Sequence, residues 1–531
     1  MGLSGKRQAE ELYFIKSMKK SVLLALFGLF ILGFVLRVLF LSKGSLTFGY
    51  DQARDAFVAQ EIASGDLKIL GPPASTPGLY HGVFYYYLLA PAYLLGGGSP
   101  VFAAYWMAFL NAGAVFLVYW LTYLLTKKSS AGLMAGFLFA VSFEATQYAT
   151  WLSNPTIGIW TVPLIYIGLW LWISSKKDFW GPVILALGLG LSIQAEIFLA
   201  YHLLPVAFWL ISARRLITKK SLLFFAGTFL LATSSMILVE FKFGFKSIPG
   251  LLSLLGGSEG FLNRKSLGDF LLLYLNQFGR FFANSVLPSN AFWGGLLGVF
   301  IVGWLISEWK KEDKKVLSWR LFLVTYILAH LPVVSLGGVS TPFLMVGLGV
   351  AATIATAIFI SSIRERKRAL AAFLIALLVG SNLSTIVSEN PKGATIFAIQ
   401  KDMTLSKELK ALDYTYAQSG GEPFSINTLT SPLWINTTWS YLYNWYGKQK
   451  YGYVPEWHGR DQVGQLGNNL NPVSKASQNY FFIIEPQDGI PPQYIGWETG
   501  VEDAKSLLLN EVSYGAIRVQ KRQPKALQEG I

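Results

Sequence analysis

Long apolar stretches alternate with short basic clusters along most of this chain. Apolar segments of spanning length begin near Ser21, Pro100, Ala131, Pro155, Phe179, Ile197, Ser221, Ala291, Arg320, Leu344 and Ala369. A helix needs roughly 20 apolar residues to cross a bilayer, so the pattern predicts a polytopic α-helical membrane protein with about eleven transmembrane helices. The two segments from Phe179 to about Ser212 abut near Ala195 and are the least sharply divided.

The basic clusters set the sidedness. They are Lys127-Lys128, Lys176-Lys177, Arg214-Arg215 with Lys219-Lys220, Lys310-Lys311 with Lys314-Lys315, and Arg364 to Arg368. With a cytoplasmic N-terminus, every cluster falls inside, as the positive-inside rule requires. That parity holds only if the apolar segment Gly82 to Leu95 does not cross. It is short, contains Pro91 and ends at Gly96-Gly97-Gly98, which suits an interfacial or re-entrant helix. The first apolar run, Ser21 to Leu41, exceeds the roughly 7–15 residues of a signal-peptide core and meets no small-residue cleavage site. It is expected to remain as the first span.

Three regions then face outward: a first loop from about Ser42 to Ser99, a second from about Glu240 to Asn290, and everything after about Ser388. The expected domains are a cytoplasmic N-terminal tail (1–20), a transmembrane domain (21–388) and an extracytoplasmic domain (389–531). In the last, Lys401 to Gln418 has helical spacing, Tyr480 to Glu485 and Tyr514 to Gln520 read as strands, and Ala504 to Leu509 reads as a short helix. A small α/β domain is expected. Aromatics crowd Trp434 to His458, where they build a core or stack on sugars.

Composition narrows the class. The chain is 53% hydrophobic and 14% charged, against about 25% charged in soluble proteins. Its net charge of +14 comes from the cytoplasmic clusters, so the expected partner is the lipid bilayer and not nucleic acid. The absence of cysteine excludes disulfides and thiol catalysis, and four histidines leave little for a histidine-rich metal site.

The remaining ionisable residues gather at the outer ends of the spans. They include Asp51, Arg54, Asp55, His81, Glu196, Glu240 and Lys242. A transporter places such groups near the bilayer midplane; here the chemistry lies at the outer interface. From Asp51 the sequence has helical spacing, with Asp51 at or near the N-cap, a position aspartate favours with or without a reaction to perform. Asp55, one turn on, also suits a solvated face. Glu240 and Lys242 also suit a simple interfacial ion pair.

These motifs, in this order, resemble those of the GT-C glycosyltransferases, in particular the bacterial protein O-mannosyltransferase and aminoarabinose transferase group. Asp51, Gln52 and Arg54 fall where that group has a first-loop Asp-Glu-x-Arg, with Gln52 replacing the glutamate and Asp55 a tyrosine. Gly78 to Tyr87 is similar to a Tyr-x-x-Lys-Pro-Pro-x-x-Tyr-Trp segment, with His81 in the lysine's place and Gly82 in the proline's. Ser153-Asn154-Pro155 resembles an Asn-Pro that opens a later span, and Glu240-Phe241-Lys242 an acidic-x-basic motif that ends another. Ser340 to Phe343 lacks the aromatic pair expected before a late span.

The resemblance implies a GT-C fold with interfacial helices in the first external loop. It implies transfer of a hexosyl or pentosyl group from a polyprenyl-phosphate donor to a hydroxyl of a protein, lipid or glycan acceptor. The reaction would take place with inversion, at the outer face of a plasma membrane. Asp51 becomes the expected general base, with Asp55 the nearby substitute, since Gln52 carries no charge. Arg54, His81 and Lys242 become candidates to hold the donor phosphate, and Glu196, Glu240 and Asn154 to line the cavity or meet the acceptor. No cofactor is assigned; the external carboxylates leave room for a divalent metal, but no ligand spacing demands one. The competing expectation is a polytopic transporter or lipid-sugar flippase.

Overall fold

The computed structural model of the chain describes residues 19–74, 78–175, 178–250, 266–312, 317–331, 341–460 and 468–525. The expected N-terminal tail before Lys19, the clusters Lys176-Lys177 and Lys314-Lys315, and Ser340 lie outside these residues.

Each expected apolar segment is helical where described. Among the described residues, five helices are long and apolar enough to cross a membrane: Lys20–Lys43, Pro100–Thr126, Asn154–Ser174, Ala291–Lys310 and Arg368–Lys392. Two more spans result if each bent pair counts as one. These are Ser129–Ala140 with Phe143–Thr150, bent by 56°, and Lys219–Ala232 with Ser234–Phe243, bent by 59°. The first bend has a local cause. Ser142 restarts the helix, its Oγ accepting from the Ala145 N–H while donating to the Ser285 carbonyl at 2.9 Å. Shorter apolar helices occupy Trp180–Ala195, Ile197–Ser212 and Leu348–Arg364, and Trp319–Ile327 fills part of the remaining segment.

Glycine explains why the helices 158–175 and 180–195 lie so close. A Cβ at Gly168 would overlap the Leu185 backbone, and one at Gly188 the Ile165 backbone. Small residues of this kind let apolar helices approach where lipid gives no hydrophobic drive.

The elements that carry the site come early. Helix α1 spans Lys20–Val38, α2 Tyr50–Ala63, α3 Phe84–Leu95 and α4 Pro100–Thr126. Twelve residues make α3 only about 18 Å long at 1.5 Å per residue, too short for a hydrocarbon layer of about 30 Å. It packs on α2 instead. One buried charge inside the bundle was not singled out by pattern. Arg37 on α1 donates from Nε to Asn111 Oδ1 at 2.7 Å and from Nη1 to the Gly33 and Ala140 carbonyls, which partly offsets the cost of a cation there; its Nη2 has no partner among the described residues.

The second outward region differs from expectation. Leu267–Ser285 is a helix that packs against Ala291–Lys310, with Gly279 and Gly294 at the crossing. Its buried face holds Tyr274, Phe278, Phe281 and Phe282. Exposed Leu271, Leu272 and Leu275 on the other side hide that face in the sequence.

The last part of the chain forms an α/β unit around a five-stranded sheet. The strands are β1 Phe424–Leu429, β2 Glu456–Trp457, β3 Asn479–Ile484, β4 Ser506–Tyr514 and β5 Ile517–Pro524. Their order is β2-β1-β3-β5-β4; β1 runs parallel to both neighbours, and β5 antiparallel to β3 and β4. The expected helix at Lys401 to Gln418 lies at Leu405–Ser419. The expected short helix at Ala504 to Leu509 is corrected. The helix runs Pro492–Lys505 and stops where Ser506 opens β4. Leu507, Leu508 and Leu509 are all exposed on this edge strand, so they show neither helical spacing nor strand alternation.

The aromatic stretch mostly packs. Trp439, Tyr441 and Tyr443 are buried. Tyr441 stands against Phe48, Phe57 and Tyr93, and its hydroxyl donates to the Gly98 carbonyl at 2.6 Å. At the other end of the first loop, Leu405 N–H donates to the Leu46 carbonyl at 2.8 Å and Ala394 N–H to Thr47 Oγ1 at 2.8 Å. The α/β unit therefore grips both ends of this loop. Truncating Tyr441 to alanine should cost about 3–5 kcal/mol, as for other buried aromatics. Limited proteolysis should then cut between the two parts faster; an unchanged cleavage rate would show that the ring does not couple them.

Candidate active site

Helix α2 begins at Tyr50, and its N-cap is Gly49. The capping bond is made by Gln52, whose Oε1 accepts from the Gly49 N–H at 3.0 Å. Asp51 lies near the N-cap, as expected, at the second helical position, and Gly49 is the cap itself. Glutamine makes the same reciprocal bond at the third helical position that glutamate makes in a capping box. Asp51 is thereby released from capping, and its side chain is 51% exposed.

Arg54 lies one turn on, and its side chain is only 7% exposed. Its Nη1 donates to Asp51 Oδ1 at 2.7 Å, while Nε and Nη2 both donate to Asp55 Oδ1, at 2.9 and 2.7 Å. Asp55 is fully buried and does not lie on a solvated face. Burial pushes its carboxyl up to about 7, against the opposing pull of Arg54. Burial pulls the Arg54 guanidinium down, but Asp55 and Asp51 together raise it well above its ordinary value. The result is a relay in which a buried carboxylate fixes an arginine and the arginine orients an exposed carboxylate. Tyr50 stacks beneath the guanidinium, whose carbon lies 5.5 Å from the ring centre. Tyr85 and Tyr86 of α3 close the wall around Asp55. These tyrosines were not picked out as site residues; their place in the Tyr85-Tyr86-Tyr87 run was the available signal.

His81 is buried. Its Nδ1 accepts from the Ile197 N–H at 3.3 Å and lies 3.8 Å from Glu196 Oε1. Burial, reinforced by the Arg54 charge, lowers His81 to about 3. It is neutral at pH 7 and not the fixed cation that its place in the motif implied. The sign follows: the unfolded imidazole binds a proton near 6.5 and the folded one does not until about 3. His81 should therefore contribute stability at neutral pH that is lost as the pH falls from about 6.5 towards 3. A His81→Gln variant should flatten the acid side of a melting-temperature profile over that window. A profile identical to wild type would show that His81 is not held neutral.

The loop around His81 is seated on the end of the helix 180–195. Gly82 N–H donates to the Gln194 carbonyl at 2.8 Å, and the Phe84 N–H donates to Gln194 Oε1 at 3.2 Å. A Cβ at Gly82 would overlap the Gln194 side chain, which accounts for glycine in the motif's proline position. Asn154 Nδ2 donates to the Ala195 carbonyl at 2.5 Å, and Glu196 Oε1 accepts from the Phe198 N–H at 3.4 Å. Both side chains are buried and brace the wall. Lys242 is exposed beside Phe243 and forms no ion pair with Glu240 or any other described carboxylate. Just beyond it, Ser247 Oγ donates to the Gly78 carbonyl at 3.3 Å, which sets this helix end against the His81 loop. Glu240 is half-buried, with Oε2 unbonded among the described residues. No group of three or more His, Asp or Glu converges as a metal cage among the described residues.

No family model matches the sequence, and no curated protein does. Among solved structures the chain is similar to ArnT from Cupriavidus metallidurans bound to undecaprenyl phosphate. The TM-score is 0.54 at 12% identity, over 94% of this chain and 97% of that one. The apo state of the same protein matches at 0.53, with the same identity and coverage. AglB from Archaeoglobus fulgidus, an archaeal oligosaccharyltransferase, aligns at 0.47 and 13% identity over 83% of this chain and 64% of its own. At this identity the likeness is one of fold: the chain shares the architecture of the ArnT structures.

Proposed function

We propose that this protein is a membrane glycosyltransferase that takes a sugar from a polyprenyl-phosphate donor. One observation carries the reading: an exposed aspartate, released from capping and oriented by a buried Arg–Asp pair, opens the first helix after the first span. The ArnT structure that shares the fold holds undecaprenyl phosphate, which supports a lipid-phosphate donor. Asp51 accepts the proton of an acceptor hydroxyl as that oxygen attacks the anomeric carbon. The lipid phosphate leaves with the bonding electrons, and the anomeric centre inverts. General-base catalysis of this kind contributes roughly 10²–10⁴-fold.

The other roles differ from those the resemblance implied. Three of the five Arg54 N–H groups go to Asp51 and Asp55, which supports a role in orienting the base. Asp55 is a positioning residue at 0% exposure. The cation available to the phosphate is Lys242, assisted by the neutral His81 ring as a hydrogen-bond donor. Lys242→Met should raise the KM for donor severalfold more than it lowers kcat; an unchanged KM would remove Lys242 from the phosphate site. The parity of the basic clusters supports a reaction at the outer face with the N-terminus inside; the plasma membrane follows only from the bacterial-type resemblance.

The two bent helix pairs give the transporter reading its structural footing, since broken helices line many transport sites. Proteoliposomes carrying labelled donor distinguish the two. Sugar transfer to an acceptor is the expected result, and donor translocation without transfer would favour transport.

A further inference from the structure

The α/β unit holds a cleft of about 290 Å³ that the transfer site does not use. It lies where the chain leaves β2, beside β1. The chain passes from β1 to β2 on one side, then back across to β3 on the other.

The walls are built and polar. Glu498, Val501, Glu502 and Lys505 present one face of the helix Pro492–Lys505 to the cleft, at the i, i+3, i+4, i+7 spacing of a single stripe. Glu498 is 4% exposed, Glu502 1% and Asn427 of β1 7%. Each is held. Glu502 accepts from Asn427 Nδ2 at 2.9 Å and from the Tyr480 hydroxyl at 2.8 Å, and Glu498 accepts from the Trp434 indole N–H at 2.5 Å. Trp434 has φ +57°, a conformation bulky residues rarely adopt, and its backbone strain is retained where the indole meets Glu498. Arg460 at the mouth stacks between the indoles of Trp434 and Trp497, at 5.2 and 4.5 Å from their ring centres.

The charges balance: two carboxylates face Arg460 and Lys505. A phosphate or a polyamine would meet as much repulsion as attraction. An uncharged polyhydroxyl ligand meets fixed acceptors and fixed donors at once. We propose that this cleft binds a neutral oligosaccharide, the glycan that bears the acceptor hydroxyl. The acceptor role rests on the glycosyltransferase reading; the binding site itself does not.

The test uses the full chain in lipid nanodiscs. One arm titrates maltotetraose and mannotetraose in solution; the other offers diglucosyl-diacylglycerol vesicles, which separates free glycan from glycolipid. Saturable binding in either arm is expected. Glu498→Gln should weaken it about tenfold or more, the loss of one charge-assisted hydrogen bond. Ser474→Trp, a substitution at an exposed cleft residue, should block it with an unchanged melting temperature. Asp51→Asn should leave binding intact. No binding in either arm, or equal binding by Ser474→Trp, overturns the site. Binding by a protein that transfers no sugar overturns the acceptor role and upholds the site.

Discussion

Asp51→Asn should lower the rate of sugar transfer by roughly 10²–10⁴-fold while leaving the fold and donor affinity in place. The expectation is sharp because the substitution is nearly isosteric. Arg54 Nη1 can still donate to the remaining carbonyl oxygen, as it now does to Oδ1 at 2.7 Å. The helix start is untouched, because Gln52 makes the capping bond. What disappears is the ability to take a proton. Purified protein, a polyprenyl-phosphate sugar and single-turnover kinetics are sufficient, with the melting temperature as the folding control. Transfer at the wild-type rate would remove Asp51 from the chemistry.

The second large effect is expected at Asp55. Asparagine there leaves the buried guanidinium facing a neutral amide on one side. Breaking a buried ion pair by removing one partner costs about 3–5 kcal/mol, so the melting temperature should fall clearly. Activity should fall as well, because Arg54 would no longer be fixed against Asp51. The readout that separates positioning from chemistry is the companion Arg54→Lys. A lysine has one nitrogen and cannot bridge two carboxylates from a planar fork. It should lose kcat with little change in donor KM. If Arg54→Lys instead raised donor KM and spared kcat, Arg54 would belong to the phosphate and not to Asp51.

Much of the architecture was legible because lipid imposes simple rules. The apolar segments, the basic clusters between them and the proline-interrupted α3 follow from hydropathy and charge alone. The place of Asp51 after the first span was equally plain. Its freedom from capping was not, because the helix starts one residue earlier than its spacing suggested and Gln52 takes the bond. The charge of His81 was illegible for a different reason: neutrality comes from burial and from the Arg54 charge, which tertiary structure brings near. The direction of the Arg54 side chain, toward Asp51 and Asp55, was illegible because a motif names residue types and not directions. The helix at Leu267–Ser285 escaped notice since leucines on its outer side blur the contrast between its faces.

The grip of the α/β unit on Leu46 and Thr47 at one end, and on Gly98 at the other, has a consequence for chain statistics. The segment between those anchors is a long closed loop that contains Asp51, Arg54, Asp55 and His81. Closing such a loop costs entropy that grows only logarithmically with its length, so its span is tolerable once the ends are tied. Untying one end returns the part of that entropy not already held by the α2–α3 packing and the Gln194 bonds. Substitutions at the distant anchor Tyr441 should therefore register as lost order at Asp51, although the two side chains share no contact in the structure.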